Sequence, residues 1–219
     1  MSVLETRATN RLSSLMQTDG DGCETVQSII NIAATAEAFA VTALGGALDN
    51  AANGLLDLSE EAVQSLTAAR AAEQIHYDFL VAAGAEPLTL TFTIPDEAIV
   101  TDATTFLTTL ISLEEAFVAA YLAAAQQFAI LGEPELAQVA LQIGAVEAEH
   151  RAGVRFFAIE AGALTGTPND VVFEKALFAT VAEAADMLTE LGFIGGTGTE
   201  ITYPGPGEID TTGLMQLEP

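Results

Sequence analysis

Apolar residues recur three and four positions apart over four long stretches of the chain, and this spacing predicts four amphipathic helices. The helices are expected over about 24–49, 59–84, 102–131 and from 134 past 157. Ser59 is suited to cap the second helix, and Thr101 or Asp102 the third, because such side chains accept hydrogen bonds from free backbone amides. The pattern therefore predicts a chain dominated by long helices.

Shorter segments separate and follow these helices. The link 85–100 has at its centre the sequence LTLTFTIP, which alternates like a β-strand and ends in Pro95. A fifth helix is predicted from after Asp170 to Gly192, followed by a Gly/Pro-rich stretch with a strand-like patch at 200–203. We therefore divide the chain into an N-terminal extension over 1–22 with one short helix in 1–17, a helical domain over 23–192, and a C-terminal tail over 193–219.

The lengths of the links predict how the helices pack. Only a few residues before Pro134 join the third helix to the fourth, so these two helices are expected to be antiparallel neighbours. The 16-residue link 85–100 reaches about 50 Å when extended, whereas a 25-residue helix is about 38 Å long. It is long enough to cross the bundle, although a loop of this length can also meander. The expected fold is all-α: a four-helix bundle with one long crossover, an added C-terminal helix and an irregular tail.

Both histidines of the chain follow a glutamate by three positions, in Glu73-x-x-His76 and Glu147-x-x-His150. This spacing places the carboxylate and the imidazole on the same face of a helix. Both pairs lie in the apolar stripes of their helices, the second and the fourth. Taken alone, either pair is better explained as core packing than as a ligand pair.

The other two long helices each carry one glutamate in the middle of the apolar stripe, Glu37 in the first and Glu114 in the third. Burying a lone carboxylate is costly, and four carboxylates in one core repel one another strongly. Cations are the natural means of stabilising such a cluster. Four carboxylates with two imidazoles form a donor set that suits two iron or manganese ions.

The order of these six residues resembles the ligand pattern of the ferritin-like carboxylate-bridged di-metal proteins, which is Glu, Glu-x-x-His, Glu, Glu-x-x-His. The segments NIAATAEAFAVTAL, FLTTLISLEEAFVAAYLAAA and QIGAVEAEHRAGVR are similar to the bacterial and archaeal branch of this family that includes desiccation-related proteins. The resemblance covers roughly residues 24–192. It implies that the four-helix bundle is of the ferritin-like kind.

The resemblance also implies a role for each of the six residues. The glutamates of the two Glu-x-x-His pairs would bridge two metal ions, the single glutamates would bind terminally, and one histidine would bind each metal. The bridging residues Glu73 and Glu147 are therefore the expected catalytic residues. The implied cofactor is a pair of iron ions, with manganese as the alternative.

The third helix offers two neighbouring candidates, Glu114 and Glu115. Glu114 keeps step with the apolar stripe, whereas Glu115 does not, so Glu114 is the expected ligand. The family tends to place a tyrosine seven residues after this ligand, and Tyr121 satisfies that tendency. The corresponding position after Glu37 is Leu44, a departure that implies unequal surroundings for the two metals.

Other polar residues near the pattern are expected to be structural. Tyr77 and Tyr121 are interpreted as packing residues, with a hydroxyl bonded to a ligand as the alternative. Arg151 and Arg155 are interpreted as surface or ion-pair groups in preference to a role in the site. Glu149 is expected to be solvated, because its position on the helix turns it away from the apolar stripe.

The charge balance excludes whole classes of partner. The chain has 31 acidic and 6 basic residues and a net charge of −25, so it lacks the basic clusters that bind nucleic acids or anionic membranes. Cys23 is the only cysteine, which excludes a disulfide framework and leaves an inert thiol as the expectation. No secretory signal is apparent, and the longest uncharged run, 116–132, is shorter than a membrane span. A cytoplasmic location is therefore expected, and a high-salt habitat is one explanation of the excess acid.

Two classes of function follow. The preferred hypothesis is a di-iron oxidoreductase of the ferroxidase or peroxide-scavenging type, with oxygen or peroxide as its small-molecule substrate. The alternative is a structural or stress-related assembly protein on the same scaffold, a homo-oligomer formed through the crossover strand or the C-terminal tail. A ferritin cage ranks below both, because the added segments would have to be fitted around a closed shell.

Overall fold

A computed structural model describes residues 24–215 of the chain. The short helix expected within 1–17 and Cys23, which is expected to be an inert thiol, lie outside the described residues. The described part contains four long helices, two short helices and two short strands. In chain order these are α1 (Val26–Ala52), α2 (Glu60–Ala82), β1 (Thr91–Ile94), α3 (Ala98–Thr101), α4 (Ala103–Leu131), α5 (Pro134–Glu160), α6 (Val181–Glu190) and β2 (Thr199–Thr202).

Local sequence signals fix the ends of the long helices. The side chain of Ser59 accepts a hydrogen bond from the amide of Ala62 and caps α2. Asp102, rather than Thr101, caps α4 in the same way. Gly132 ends α4 with a φ of +81°, a left-handed conformation that glycine adopts without steric cost, and α5 begins directly afterwards at Pro134.

The four long helices pack as two pairs, α1 with α2 and α4 with α5, and the pairs contact each other through α1–α4 and α2–α5. Alanine lines much of the contact, as at the fully buried Ala34, Ala38 and Ala119, and allows the helices to approach closely. The buried apolar residues form two clusters. One contains Phe39 and Phe117, and the other contains Leu44 and Leu110. This all-α bundle confirms the predicted fold class.

The crossover and the tail form one ribbon across the bundle. β1 and β2 are antiparallel, with Phe92 opposite Ile201, which confirms that both segments are extended. Phe92 is fully buried, and its ring lies 5.4 Å from that of Phe39 on α1; Phe193, which follows α6, packs on Phe39 at 5.0 Å. The two strands therefore pair within one chain, while assembly of several chains through them stays a prediction.

The predicted start of the fifth helix is wrong. The helix α6 begins at Val181, ten residues later than expected, because its first free amides, those of Val181 and Ala182, donate to the carboxylate of Glu24. The preceding segment is irregular, and its apolar residues Val172 and Phe173 are 84% and 81% exposed. The apolar spacing of this segment predicts a helix, but the bundle does not cover the apolar side chains of Val172 and Phe173.

Two helices, α1 and α4, are long and apolar enough to cross a membrane by length and composition alone. Within the fold, 72% and 50% of their apolar windows are buried against other parts of the chain. Each also carries a buried glutamate, Glu37 in α1 and Glu114 in α4, as expected of core helices that surround a polar site.

Candidate metal centre

Each long helix contributes one fully buried carboxylate to a single cluster at the centre of the bundle. Along every helix the glutamate lies between residues of the two apolar clusters, so both ends of the site are closed by hydrocarbon. The exposed fractions of these side chains are at most 3%. The four residues are Glu37 on α1, Glu73 on α2, Glu114 on α4 and Glu147 on α5.

The two predicted histidines join this cluster, one at each side. The Nδ1 atom of His76 lies near three carboxylates: 3.2 Å from Glu73 Oε2, 3.4 Å from Glu147 Oε1 and 3.6 Å from Glu37 Oε2. The Nδ1 atom of His150 lies 2.9 Å from Glu73 Oε1 and 3.4 Å from Glu147 Oε2. Both imidazoles are about nine-tenths buried, with side-chain exposures of 12% and 11%.

Glu73 and Glu147 are shared between the two sides of the site. In each carboxylate one oxygen faces His76 and the other faces His150. The donor atoms form two groups in which all members lie within 4.8 Å of one another, one completed by Glu37 and the other by Glu114. This arrangement offers two neighbouring positions for cations, with two carboxylates common to both.

Burial and mutual repulsion set the protonation of the carboxylates. Burial raises the pKa of Glu37 well above its ordinary value, and the carboxylate of Glu73 raises it further. Burial likewise raises the pKa of Glu114, with Glu147 as the next cause. Burial also opposes the charge of Glu73, but His150 and His76 outweigh it and hold the pKa of that carboxyl well below its usual range.

The histidines respond in the opposite sense to their surroundings. Burial alone would lower the pKa of His76, but the carboxylates of Glu147 and Glu37 outweigh it and raise that pKa well above its ordinary value. His150 behaves in the same way through Glu73 and Glu147. Without metal, protons therefore offset part of the negative charge in this core, and cations would take their place.

The polar atoms of the cluster lack hydrogen-bond partners among themselves, and divalent cations would satisfy them. Among the described residues, Glu37 Oε2, Glu73 Oε1, Glu114 Oε2 and both oxygens of Glu147 are buried without a hydrogen-bond partner. His150 Nδ1 is close to Glu73 but is not aligned for a hydrogen bond. Buried polar atoms without partners are costly, and here they converge on one small volume. Carboxylate oxygens and imidazole nitrogens are suitable ligands for iron or manganese.

Tyr121 takes part in the site through its hydroxyl, which is the alternative to its interpretation as a packing residue. Its hydroxyl donates a hydrogen bond to Oε1 of Glu37, across the bundle from α4 to α1. Burial, and then the charge of Glu37, raises the pKa of Tyr121, so the hydroxyl keeps its proton. Leu44 lies seven residues after Glu37, as Tyr121 lies seven residues after Glu114, but Leu44 is packed in an apolar cluster and has no hydroxyl to donate. The two positions therefore differ, as the sequence predicts.

The neighbouring acidic residues lie outside the cluster, as their helical positions predict. Glu149 is exposed. Glu115 is partly exposed, and its carboxylate pairs with Lys175 at 2.7 Å. The inward position of Glu114 rather than Glu115, and the solvated position of Glu149, therefore agree with the structure, while the choice of Glu114 as a metal ligand stays a prediction.

Ion pairs and hydrogen bonds behind the site fix the helices that carry it. Arg151, next to His150, is 5% exposed and makes two hydrogen bonds to Glu174, at 2.6 and 2.7 Å. Arg155 pairs with Asp170 at 2.6 Å, so both arginines are ion-pair groups as expected. These bonds tie the irregular segment after α5 to the outer side of that helix.

Sequence reasoning missed one buried contact beside the site. Gln74, next to Glu73, is 1% exposed and exchanges hydrogen bonds with the hydroxyl of Tyr203. The ring of Tyr203 also packs on Tyr77 at 4.7 Å, which confirms a packing role for Tyr77. The residues involved are 129 positions apart, so no local signal could reveal that the tail holds α2 in place.

The model of the ferritin-like domain family matches residues 25–160, which is more than half of the chain. The chain belongs to the ferritin-like domain family. The match spans the four long helices and all six residues of the cluster, whereas α6 and β2 lie beyond it. No curated protein and no solved structure matches the chain.

Membership of the ferritin-like family supports the coarse features of the site. Ferritin-like bundles build metal sites from carboxylates and histidines that project inward from facing helices, and the cluster has this form. The membership also indicates a soluble bundle, while the cytoplasmic location and the high-salt habitat stay predictions. The ligand role of each of the six residues likewise stays a prediction.

Proposed function

We propose that this ferritin-like protein is a di-iron oxidoreductase of the ferroxidase or peroxide-scavenging type. The observation that carries the proposal is the sharing of Glu73 and Glu147, each of which presents one oxygen to His76 and one to His150. One cation needs no such sharing, whereas two adjacent cations do. Manganese fits the same donors, so iron is the preferred rather than the sole candidate.

Each residue of the site would have its own role in binding two metals. Glu73 and Glu147 would bridge the pair, Glu37 and Glu114 would bind at the ends, and the two histidines would bind once their protons are lost. The hydroxyl of Tyr121 holds Glu37 in place through its hydrogen bond. The apolar clusters on both sides keep bulk water away from the reacting centre.

The chemistry would be the transfer of electrons to a small oxidant. When bound here, two ferrous ions would supply one electron each, which together with two protons would reduce dioxygen to hydrogen peroxide, or hydrogen peroxide to two water molecules. The carboxylates would offset the positive charge of the metals, which is larger for ferric than for ferrous iron, and Glu73 and Glu147 would do so for both metals. Replacing either of them is therefore expected to cost more than replacing any other acid of the chain.

The test is anaerobic titration of the metal-free protein with ferrous iron, followed by exposure to oxygen or peroxide. We expect about two ferrous ions per chain, as in other sites of this ligand pattern, and formation of ferric iron on oxidation. Glu73→Gln and Glu147→Gln should abolish uptake of the pair, while Glu149→Gln, an exposed acid on the same helix as Glu147, should leave it unchanged. Equal effects of the three substitutions, or no uptake by the unaltered protein, would refute the proposal.

One observation favours the alternative of an assembly protein built on the same bundle. Val172 and Phe173 are exposed side by side in the segment before α6, and exposed apolar neighbours of this kind are typical of contact surfaces. The partner we consider is a second copy of this chain. Light scattering on the full chain and on the Val172→Ser/Phe173→Ser variant tests this function, and an unaltered chain that is monomeric would exclude it.

A further inference from the structure

The C-terminal tail is fastened to α2 beside both of the candidate ligands that this helix carries. Tyr203 follows β2, and its hydroxyl exchanges hydrogen bonds with the side-chain amide of Gln74, at 2.7 and 2.9 Å. Its ring lies 4.7 Å from that of Tyr77. Gln74 is the residue after Glu73, and Tyr77 is the residue after His76. A single tail residue therefore contacts α2 next to each of its two ligands.

Apolar packing holds this part of α2 only sparsely. Between Leu66 and Tyr77, the buried residues of the helix are Ala71, Glu73 and Gln74. Ala71 places a single methyl group in the core, and burial of so little hydrocarbon contributes little stability. The other two side chains are polar and need partners. The hydrogen bonds to Tyr203 therefore give this stretch of α2 a fully buried anchor that lies outside the metal cluster.

The other helix with a Glu-x-x-His pair, α5, is fixed in a different way. It packs along α4 in the most extensive helix pairing of the described part of the chain. Gly144 allows the close approach, because a Cβ atom at this position would lie 3.0 Å from Cβ of Tyr121. In contrast, α2 packs on α1 and contacts α5 much less. The outer contact of α5, between Arg151 and Glu174, therefore adds stability to a helix that α4 already holds in place.

The position of α2 matters because both of its ligands face a crowded centre. Glu73 presents one oxygen to each histidine, so its displacement would affect both sides of the site. The carboxylates of the cluster repel one another, which favours movement of a loosely packed helix away from the centre. Metal–ligand distances in proteins are fixed to within about 0.2 Å. A small shift of α2 would therefore move a shared carboxylate and an imidazole out of coordinating distance together.

We infer that Tyr203 is a positioning residue for the metal centre: through Gln74 and Tyr77 it keeps the two ligands of α2 within coordinating distance of metal. The inference rests on the proposed function in one respect, namely that the six residues bind metal. Linked equilibria are reciprocal, so a tail contact that favours metal binding is itself held more firmly once metal is bound. Because the matched domain ends at residue 160, this assigns the tail beyond it a part in the site.

The first test is titration of the chelator-treated full chain with Mn²⁺, which needs no oxidant. Tyr203→Phe keeps the ring and removes only the hydroxyl, and it should weaken Mn²⁺ binding about tenfold, the lower end of the effect of residues that support metal ligands. Glu174→Gln is the matched control: it also removes an outer contact of a helix with a Glu-x-x-His pair and lowers stability, but its affinity should stay within about twofold of the unaltered chain.

Equal affinity of Tyr203→Phe and the unaltered chain, or equal weakening by Tyr203→Phe and Glu174→Gln, would overturn the inference. The second of these results would show that Mn²⁺ affinity simply follows stability. Failure of the unaltered chain to bind Mn²⁺ would instead refute the metal site on which the proposed function depends.

The second test uses hydrogen exchange of the unaltered chain, so it does not depend on how a variant folds. The amide of Tyr203 donates to the carbonyl of Leu90 and reports release of the tail from the crossover. Saturation with Mn²⁺ should slow its exchange about tenfold, the same factor as in the affinity. The control is the amide of Val181, which donates to Glu24 at the start of α6, a helix that packs on α1 and α4. Its exchange should change by less than about twofold.

Mass spectrometry of the peptides that contain Tyr203 or Val181 measures both rates. Equal slowing at the two positions would show a general stabilisation by Mn²⁺ and would contradict the inference. Unchanged exchange at Tyr203 in a chain that binds Mn²⁺ would contradict it as well.

Discussion

The hydrogen bond from Tyr121 to Glu37 allows a sharp test of the site in the absence of metal. Tyr121→Phe keeps the ring and removes only the hydroxyl, so it creates almost no cavity. It leaves Oε1 of Glu37, a residue that is 1% exposed, without its donor. A buried polar group that loses its partner costs about 1–3 kcal/mol, and we expect the metal-free protein to lose that much stability.

The matched control for this substitution is Tyr77→Phe. Tyr77 is as buried as Tyr121, at 7% exposure, but its ring packs on Tyr203 and its hydroxyl makes no hydrogen bond to the six residues of the cluster. Its loss should therefore cost clearly less than the loss of the Tyr121 hydroxyl.

Urea unfolding of chelator-treated protein measures both effects. An unchanged slope of the free energy of unfolding against urea concentration would show that the native fold is kept. Each kcal/mol should also lower the melting temperature by about 2–4 °C for a chain of this size. Tyr121→Phe should weaken binding of the metal on the Glu37 side as well. Equal stability of the Tyr121→Phe and Tyr77→Phe variants would show that the hydroxyl does not support Glu37.

Three further predictions concern protons, the choice of ligand and the support behind α5. Burial and neighbouring carboxylates raise the pKa of Glu37 and Glu114, and carboxylates raise the pKa of both histidines, so the metal-free site holds protons that a cation must displace. Titration with Mn²⁺ in weak buffer should therefore release protons and show an affinity that falls as the pH is lowered. An affinity independent of pH would contradict these shifts. Glu114→Gln should remove metal from one side of the site, whereas Glu115→Gln, which loses only its pair with Lys175, should keep the full metal content measured by mass spectrometry; the reverse result would place the wrong face of α4 inward. Glu174→Gln should lower the free energy of unfolding by about 3 kcal/mol, because it leaves the buried guanidinium of Arg151 without its charged partner. The metal content should stay unchanged. Loss of metal together with stability would show instead that α5 depends on this pair to position His150.

The long helices and the six clustered residues are predictable from the sequence because both depend on local geometry. Ser59 and Asp102 cap the helices that their positions indicate. The spacing of three residues between glutamate and histidine fixes their common face whatever the rest of the fold does. For the same reason Glu114 and Glu115 could be told apart before any packing was known.

Other features depend on contacts between distant parts of the chain and are not predictable in this way. The start of α6 is fixed by Glu24, which is 157 residues before Val181. Tyr121 and Glu37 are 84 residues apart in sequence, and the hydroxyl reaches the carboxylate only because of the relative position along their axes in which α4 packs on α1. The pairing of β1 with β2 likewise requires the tail to return across the crossover.

The central claim is that two metal ions lie between the glutamates shared by both histidines. Anomalous diffraction at the iron absorption edge, from crystals loaded anaerobically with ferrous iron, tests it directly. We expect two iron peaks in each chain, both in contact with Glu73 and Glu147, one beside His76 and Glu37 and the other beside His150 and Glu114. A single peak, or iron bound only to surface acids, would contradict the account.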